Sequence, residues 1–184
     1  MLKIGLLSDT HAYWDNKYAE YFASCDEIWH AGDIGSTEVL DKLRAVKPVR
    51  AVHGNTDGHL IRCECPKHLH FKAEEVDVWL THIGGYPGNY APEVRPEIFT
   101  NPPQLFICGH SHILKVQHDN TLKLLHINPG AAGLQGFHQV RTLVRFTIEG
   151  KVIKDLEVIE LSCLNSNNAL SLRLSKFYQG KPRK

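Results

Sequence analysis

Five short polar motifs constrain this sequence more than any other feature. At least four of them stand where a run of strand-forming residues ends and a turn begins. Because parallel strands end at one edge of a sheet, side chains that are far apart in sequence can converge there. The motifs contain two aspartates, one asparagine and four histidines, all common metal ligands. The seven residues are Asp9, His11, Asp33, Asn55, His82, His110 and His112.

The order of the predicted elements indicates an α/β fold. Strands are predicted at residues 3–7, 27–30 and 49–52, with helices at 18–23 and, capped by Ser36, up to residue 45. A β-α-β-α-β order implies a parallel sheet with right-handed crossovers.

The second half of the chain is predicted to be mostly strands. Residues 58–67 form a loop, and residues 83–103, rich in Gly and Pro, form a long loop with one short helix near 93–99. Two hairpins turn at Asp119-Asn120 and Glu149-Gly150. We therefore expect a four-layer α/β/β/α sandwich, with two mixed sheets packed face to face and flanking helices. The predicted strands are 68–72, 76–80, 105–108, 113–118, 121–127, 140–148 and 152–159.

The length and composition indicate one globular domain. The chain has 184 residues, of which 42% are hydrophobic and 22% charged, and its net charge is +1. Residues 1–162 are predicted to form the domain, and residues 163–184 a basic C-terminal tail that is weakly helical, at 166–178, or partly disordered. Because the net charge is small, binding of nucleic acid through this tail is the less favoured alternative.

The cysteine pattern favours a reducing compartment. Five cysteines are scattered along the chain, an odd number without the spacing of a disulfide framework, and Cys25 and Cys108 are expected to be buried thiols. Ser8-Asp9 interrupts the apolar start, so no signal peptide is expected, and no apolar run approaches the length of a membrane span. A cytoplasmic protein without membrane contact is the expectation.

No motif is specific by itself. Asp-x-His and Gly-Asp pairs occur in ordinary turns, and the residues of Gly-Asn-Thr-Asp-Gly are ones that favour turns. Gly109-His110-Ser111-His112 is the sharpest motif, because two histidines separated by one residue suit neighbouring metal ions. Together, two acids, one amide and four imidazoles can hold two divalent cations with a shared carboxylate, which is the equipment of metal-assisted phosphate ester hydrolysis.

The motif order resembles the signature of the calcineurin-like metallophosphoesterases. That signature is Asp-x-His, Gly-Asp, Gly-Asn-x-Asp, a single His and then Gly-His-x-His, and the resemblance extends from about residue 4 to 130. The short length and Ile127-Asn128-Pro129-Gly130 are similar to the small bacterial and archaeal phosphodiesterase branch (YfcE-like).

The resemblance implies two ions that share one carboxylate, with Mn²⁺ as the first expectation and Fe, Ni, Zn or Mg as alternatives. It implies a phosphodiesterase acting on a small-molecule phosphate ester, in which a hydroxide shared by both ions attacks phosphorus in line with the leaving group. A homo-oligomer stays open. The implied ligands are Asp9, His11 and His112 for the first ion and Asn55, His82 and His110 for the second, bridged by Asp33.

The sequence departs from the family pattern at Thr56, where many members carry His. That His is thought to stabilise charge or protonate the leaving oxygen, so His59 or His138 is considered as a replacement. Asp57 is expected to orient Asn55 or a metal-bound histidine from outside the ligand set.

Two further segments carry expectations of their own. Residues 128–133 form a Gly-rich loop that could offer backbone N–H groups to a phosphate. Arg141 and Arg145 alternate with Leu143, which is typical of a solvated sheet face.

The alternative function is a non-catalytic protein-interaction scaffold on the same fold, similar to Vps29. Such proteins tend to lose metal ligands, whereas all seven are present in this sequence. The complete set therefore favours the enzyme.

Overall fold

The computed structural model describes residues 1–161 and 170–173. None of the helices in this part of the chain is both long and apolar enough to span a membrane. The first half contains β1 (Leu2–Leu7), α1 (Asn16–Phe22), β2 (Glu27–His30), α2 (Thr37–Val46), β3 (Val49–Ala51), α3 (His59–Glu64), β4 (His68–Ala73) and β5 (Val76–Thr81). The second half contains β6 (Gly85–Tyr86), β7 (Asn89–Tyr90), α4 (Arg95–Thr100), β8 (Leu105–Ile107), β9 (Leu114–Asp119), β10 (Leu124–Pro129), β11 (Arg141–Glu149), β12 (Val152–Leu161) and β13 (Leu170–Arg173).

Two mixed sheets form the centre of the fold, as the sequence predicts. The first has the strand order β13-β12-β11-β1-β2-β3, and the second has the order β4-β5-β8-β10-β9. Strands β1, β2 and β3 are parallel, and so are β5, β8 and β10. The apolar faces of both sheets share one buried core, to which Ile4 and Leu6 contribute from β1 and Leu80 and Ile107 from the second sheet.

Helices cover the outer faces, which confirms the four-layer sandwich. Leu40 packs from α2 into a core outside the first sheet, together with Cys25. Ile98 packs from α4 into a smaller core outside the second sheet, together with Cys108. Both cysteines are buried free thiols, as predicted. Alternation along the strands thus supplies one apolar face to the inter-sheet core and one to the helices.

Helix α1 lies unusually close to β1 because of a glycine. A Cβ at Gly5 would lie 2.4 Å from a ring carbon of Phe22, which is fully buried. Gly5 therefore lets the Phe22 ring pack directly on the backbone of β1.

Three local predictions were wrong. Residues 58–67 contain the helix α3 rather than only a loop; Gly58 provides no side-chain cap, and the helix is instead held by burial of Ile61. The first hairpin turns through residues 120–123, because Asp119 Oδ1 accepts hydrogen bonds from the N–H groups of Thr121 and Leu122. The second hairpin turns one residue later than predicted, through Gly150 and Lys151.

The C-terminal segment is described only in part. Residues 170–173 form β13, which pairs antiparallel with β12, so the predicted helix at 166–178 is wrong at these four residues. The rest of that prediction lies outside the described residues, and the boundary between residues 162 and 163 stays a prediction.

Arg141 is buried, which contradicts the predicted solvated face. Only 5% of its surface is exposed, because the chain around α1 covers this side of β11. The guanidinium lies 2.7 Å from Asp15 Oδ2, donates to the carbonyl of Ala132 at 2.7 Å and stacks over the Tyr13 ring at 4.8 Å. Arg141 therefore ties the segment after β1 to the segment after β10.

Arg145 is half-buried, so its predicted solvation is wrong as well. Its guanidinium pairs with Glu157 and donates to the carbonyl of Tyr21 at 2.9 Å. Both arginines on β11 thus hold the α1 layer to the sheet.

We predict that Arg141→Met lowers the free energy of unfolding by about 3 kcal/mol, because it leaves the partly buried Asp15 carboxylate without its partner. Urea denaturation measures this loss. The control is Arg44→Met, which removes an exposed pair with Glu64 and should cost less than about 1 kcal/mol. Equal losses for the two variants would contradict the structural role of Arg141.

Candidate metal centre

Each polar motif follows a strand, and the strands bring the motifs to one region. Asp9 follows β1, Asp33 follows β2, Asn55 follows β3, His82 follows β5, and the motif at His110 follows β8. The two sheets therefore contribute opposite sides of the same cluster.

Six of the seven predicted residues form two groups. In each group, one ligand atom from every residue lies within 4.8 Å of the others. The first group matches the set that the sequence predicts for one ion, and the second contains the shared aspartate with the other two histidines. The groups are Asp9, His11 and His112, and Asp33, His82 and His110.

The two groups are in contact. Asp33 Oδ2 lies 3.2 Å from His82 Nε2 in its own group and 3.9 Å from His11 Nε2 in the other. Asp9 Oδ1 lies 3.1 Å from His112 Nε2 and 4.0 Å from His82 Nε2. This central position suits Asp33 to a shared role.

Asn55 is exposed. Both of its neighbours in the sequence contact the Asp33 carboxylate. The next residue, Thr56, donates its backbone N–H to Asp33 Oδ1 at 2.9 Å. Gly54, on the other side, approaches so closely that a Cβ there would lie 2.0 Å from the same oxygen. The Gly-Asn-Thr turn therefore fixes the Asp33 carboxylate with its backbone.

Five of the candidate ligands have left-handed backbone conformations. This region is uncommon for residues other than glycine, although aspartate and histidine enter it more readily than most. Each instance costs on the order of 1 kcal/mol, so a cluster of five indicates a functional constraint on the loops. The φ angles are 55° at Asp9, 45° at His11, 53° at Asp33, 68° at His110 and 57° at His112.

Backbone hydrogen bonds between neighbouring loops hold these conformations. Asp9 donates its N–H to the carbonyl of Gly32 at 3.0 Å, and His11 donates to that of Asp33 at 3.0 Å. Gly109 donates to the carbonyl of His82 at 2.9 Å. The ligand-bearing loops are thus joined to one another through their backbones.

His82 shows that the cluster fits a cation. Its Nδ1 lies 2.7 Å from the carbonyl of Ala31, so Nδ1 carries the proton and Nε2 is the free lone pair. That lone pair is buried without a hydrogen-bond partner and faces the Asp33 carboxylate. A histidine with one N–H on a backbone carbonyl and the other nitrogen toward carboxylates is the usual arrangement of a metal ligand.

The pKa shifts have the signs expected of a site that needs positive charge. Burial raises the pKa of Asp33, but the neighbouring His82 imidazole and the Thr56 N–H lower that pKa by more, so it lies well below its usual range. Burial lowers the pKa of His82, but Asp33 and Asp9 raise that pKa by more. The two shifts show that Asp33 and His82 each favour the charged form of the other.

The first group has an equivalent unsatisfied atom. Asp9 Oδ1 is buried and has no hydrogen-bond partner among the described residues, although His112 Nε2 lies 3.1 Å away. The Asp9 carboxylate also raises the pKa of His112. Each group thus contains a buried ligand atom without a hydrogen-bond partner, and a bound cation would interact with that atom.

His30 supports the cluster and was missed as a functional residue. It is fully buried; its Nδ1 accepts the Gly32 N–H at 3.1 Å, so Nε2 donates to Thr10 Oγ1 at 2.9 Å. The Thr10 hydroxyl then donates to the carbonyl of Ile34 at 3.0 Å. Burial lowers the pKa of His30 to about 4, so it is neutral at pH 7. A polar residue at the end of a buried strand, two positions before Gly32, is the signal that could have found it.

Asp57 lies behind the cluster, but its contacts differ from those predicted. Its carboxylate accepts the backbone N–H groups of Ile34 at 3.2 Å, Gly35 at 2.7 Å and Gly54 at 2.8 Å. No hydrogen bond of this carboxylate to Asn55 or to a histidine is found in the described residues. Asp57 therefore joins two ligand-bearing loops through their backbones.

The structure separates the two histidines considered for the Thr56 position. The His138 ring packs against His112, with centroids 5.4 Å apart, and its Nδ1 is buried without a hydrogen-bond partner. His59 is exposed on α3, where its Nε2 lies 3.5 Å from Cys63 Sγ. Only His138 has a described contact with the cluster.

Residues 128–133 support the cluster from behind instead of presenting their N–H groups to it. The N–H of Ala132 donates to the backbone carbonyl of Ser8 at 2.9 Å, and the N–H of Gly133 donates to the backbone carbonyl of Asp9 at 3.0 Å. The expectation that this loop binds phosphate is therefore wrong for these two groups.

Known proteins share this sequence and fold. Residues 2–151 match the model of the calcineurin-like phosphoesterase superfamily domain. A probable metallophosphoesterase from Methanothermobacter thermautotrophicus is 29% identical over 161 residues, which cover 85% of this chain and 91% of the relative.

Solved structures agree on the fold. Vps29 from Chaetomium thermophilum superposes with a TM-score of 0.76 at 15% identity, covering 95% of this chain and 97% of that one. An archaeal phosphodiesterase superposes with a TM-score of 0.70 at 23% identity, covering 87% of this chain and all of that one. Since the family model spans most of the sequence, the chain belongs to the calcineurin-like phosphoesterase superfamily.

Proposed function

We propose that the protein is a metal-dependent phosphodiesterase that uses two divalent cations to hydrolyse small-molecule phosphate esters. One observation is the main support for this proposal. Two buried, unsatisfied ligand atoms, Asp9 Oδ1 and His82 Nε2, belong to different groups and lie 4.0 Å apart. This pairing is the arrangement expected where two neighbouring ions complete the bonding of their ligands.

The proposed ligands follow the two groups. Asp33 bridges, and its low pKa keeps it ionised for that role. The mixture of nitrogen and oxygen donors suits Mn, Fe, Zn or Ni better than Ca, so Mn²⁺ remains the first expectation. When bound, such a pair supplies an activated water and offsets the negative charge of the reacting phosphate. The first ion takes Asp9, His11 and His112, and the second takes Asn55, His82 and His110.

The chain itself supplies orientation. The left-handed loops and their shared hydrogen bonds set the ligand positions in advance, so little reorganisation accompanies the reaction. The bond from His82 Nδ1 to Ala31 fixes the tautomer that presents Nε2 to an ion. Asp57 and His30 keep the loops at fixed separations through backbone contacts.

His138 is the proposed substitute for the histidine absent at Thr56. Its Nε2 lies 3.1 Å from the carbonyl of Gly133, so this atom holds the proton of the neutral ring. The unpartnered Nδ1 then remains to take and deliver a second proton near His112. Such a group would stabilise the departing oxygen of a poor leaving group.

The scaffold function is the second candidate, favoured by the likeness to Vps29. At 15% identity this likeness concerns the fold alone. The two metal-ligand groups favour the hydrolase, and the first experiment below decides between the two functions.

We predict that the purified protein binds Mn²⁺ and hydrolyses bis-p-nitrophenyl phosphate, and that chelation abolishes this activity. Asp33→Ala and His82→Ala should each remove more than the roughly 10–100-fold that loss of an outer-shell partner costs. Titration calorimetry measures metal binding, and p-nitrophenolate absorbance measures turnover.

The matched control for these variants is His70→Ala, which removes a half-exposed histidine on β4, outside both groups. It should keep both metal binding and turnover. No turnover with Mn²⁺, Fe²⁺, Ni²⁺ or Zn²⁺ would contradict the enzyme and favour the scaffold.

We also predict that His138→Ala affects substrates according to their leaving groups. A phosphodiester with an alkoxide leaving group should lose up to about 100-fold in kcat, whereas a p-nitrophenyl ester should change little, because p-nitrophenolate needs no proton. His59→Ala is the matched control and should leave both rates unchanged. A loss confined to His59→Ala would assign the role to that residue instead.

A further inference from the structure

A cleft of about 620 Å³ opens beside the second group of ligands. This volume lies within the 300–1,000 Å³ range typical of small-molecule sites. The cleft shares a wall with the metal centre, because His110 and Gly109 line it. A substrate bound at the second group could therefore extend directly into it.

The charge of the cleft is one-sided. Arg95 and Lys115 line it, and the described lining includes no aspartate or glutamate. Lys115 has no ion-pair partner in the described part of the chain, although its Nζ lies 3.9 Å from the centre of the Tyr86 ring. Arg95 donates to the carbonyl of Tyr90 at 2.7 Å and also has no described carboxylate partner. The cleft thus presents positive charge that the described residues leave unpaired.

Three apolar side chains of the cleft lining are partly exposed. Ile83 is 38% exposed, Tyr86 43% and Ile113 65%, and all three line the cleft. Exposed apolar side chains beside unpaired cations suit a ligand that has a ring-containing body and an anionic end.

The floor is held rigidly. His126 is buried, and its Nε2 lies 3.0 Å from the carbonyl of Gly85. The amide of Asn128 donates to the carbonyl of Gly109 at 2.8 Å and to Ser111 Oγ at 3.1 Å. These contacts tie the floor of the cleft to the loop that carries His110.

We propose that the cleft selects phosphodiesters in which one ester arm is of nucleotide size and carries a second phosphate, with Lys115 as its main contact. This inference rests on the proposed function, since the scissile phosphate must sit at the metal centre. The apolar body of the arm lies along Ile83, Tyr86 and Ile113, and the second phosphate pairs with Lys115 and Arg95.

Two chromogenic substrates that differ by one phosphate test the proposal. They are thymidine 5′-(p-nitrophenyl phosphate) and the same compound with a 3′-phosphate. Hydrolysis of the latter adds water across one P–O bond and releases p-nitrophenolate, a proton and thymidine 3′,5′-bisphosphate. We expect kcat/KM to be at least about tenfold higher for the 3′-phosphorylated compound, the size of one charge-assisted hydrogen bond.

The variants assign the preference to Lys115. Lys115→Met should reduce the ratio of the two kcat/KM values to about one, and Lys115→Arg should keep most of it. The matched control is Lys47→Met, which removes another half-buried lysine on the far side of the first sheet and should keep the full ratio. A ratio near one in the wild type, or an unchanged ratio in Lys115→Met, would overturn the proposal.

A binding measurement separates this inference from the proposed function. Calorimetry with metal-free protein should show that thymidine 3′,5′-bisphosphate binds at least about tenfold more tightly than thymidine 5′-monophosphate, and that Lys115→Met removes this difference. No hydrolysis of any substrate would refute the enzyme while this result still supported the cleft. Equal affinities, or a difference that persists in Lys115→Met, would refute the cleft.

Discussion

Two buried carboxylates at the junction of two sheets determine the rest of this structure. Asp9 and Asp33 are almost fully buried, and in the described residues only histidines form ion pairs with them. Burying an anion is costly unless a cation accompanies it. The imidazoles supply positive charge only when protonated, and when neutral they offer lone pairs that can bind a metal ion. This combination of buried carboxylates and imidazoles therefore suits a site for cations.

The fold holds these acids in place through its backbone. Five candidate ligands adopt left-handed conformations, and the loops that carry them are tied together by hydrogen bonds. Such strain persists only where the surrounding structure imposes it. The network of Asp57 and His30 imposes it here by binding backbone N–H groups of neighbouring loops. Stability is thus given up locally for preorganisation of the ligands.

The sequence predicted the layers and the convergence of six of the seven candidate ligands, because both depend on where buried strands end. Apolar runs fixed the strands, and polar residues directly after them marked the edge where ligands converge. The predictions failed where tertiary contacts outweighed local pattern. Helix α3 lacks a side-chain cap and depends on burial of Ile61. The alternation around Arg141 predicts a solvated side chain, but the segment before α1 buries it through Asp15. The partners of Asp57 are backbone groups, which no residue pattern can reveal.

The loop after β8 gives the proposed site two different sides. His112 belongs to the first group of ligands and contacts His138, whereas His110 belongs to the second group and lines the cleft. Because the two histidines are separated by one residue, a phosphate held between the groups would have a proton donor on one side and a cationic, apolar cleft on the other. The leaving group would then depart toward His138 while the retained arm occupied the cleft. With this polarity, the proposed enzyme would distinguish the two ester bonds of a phosphodiester without a histidine at Thr56.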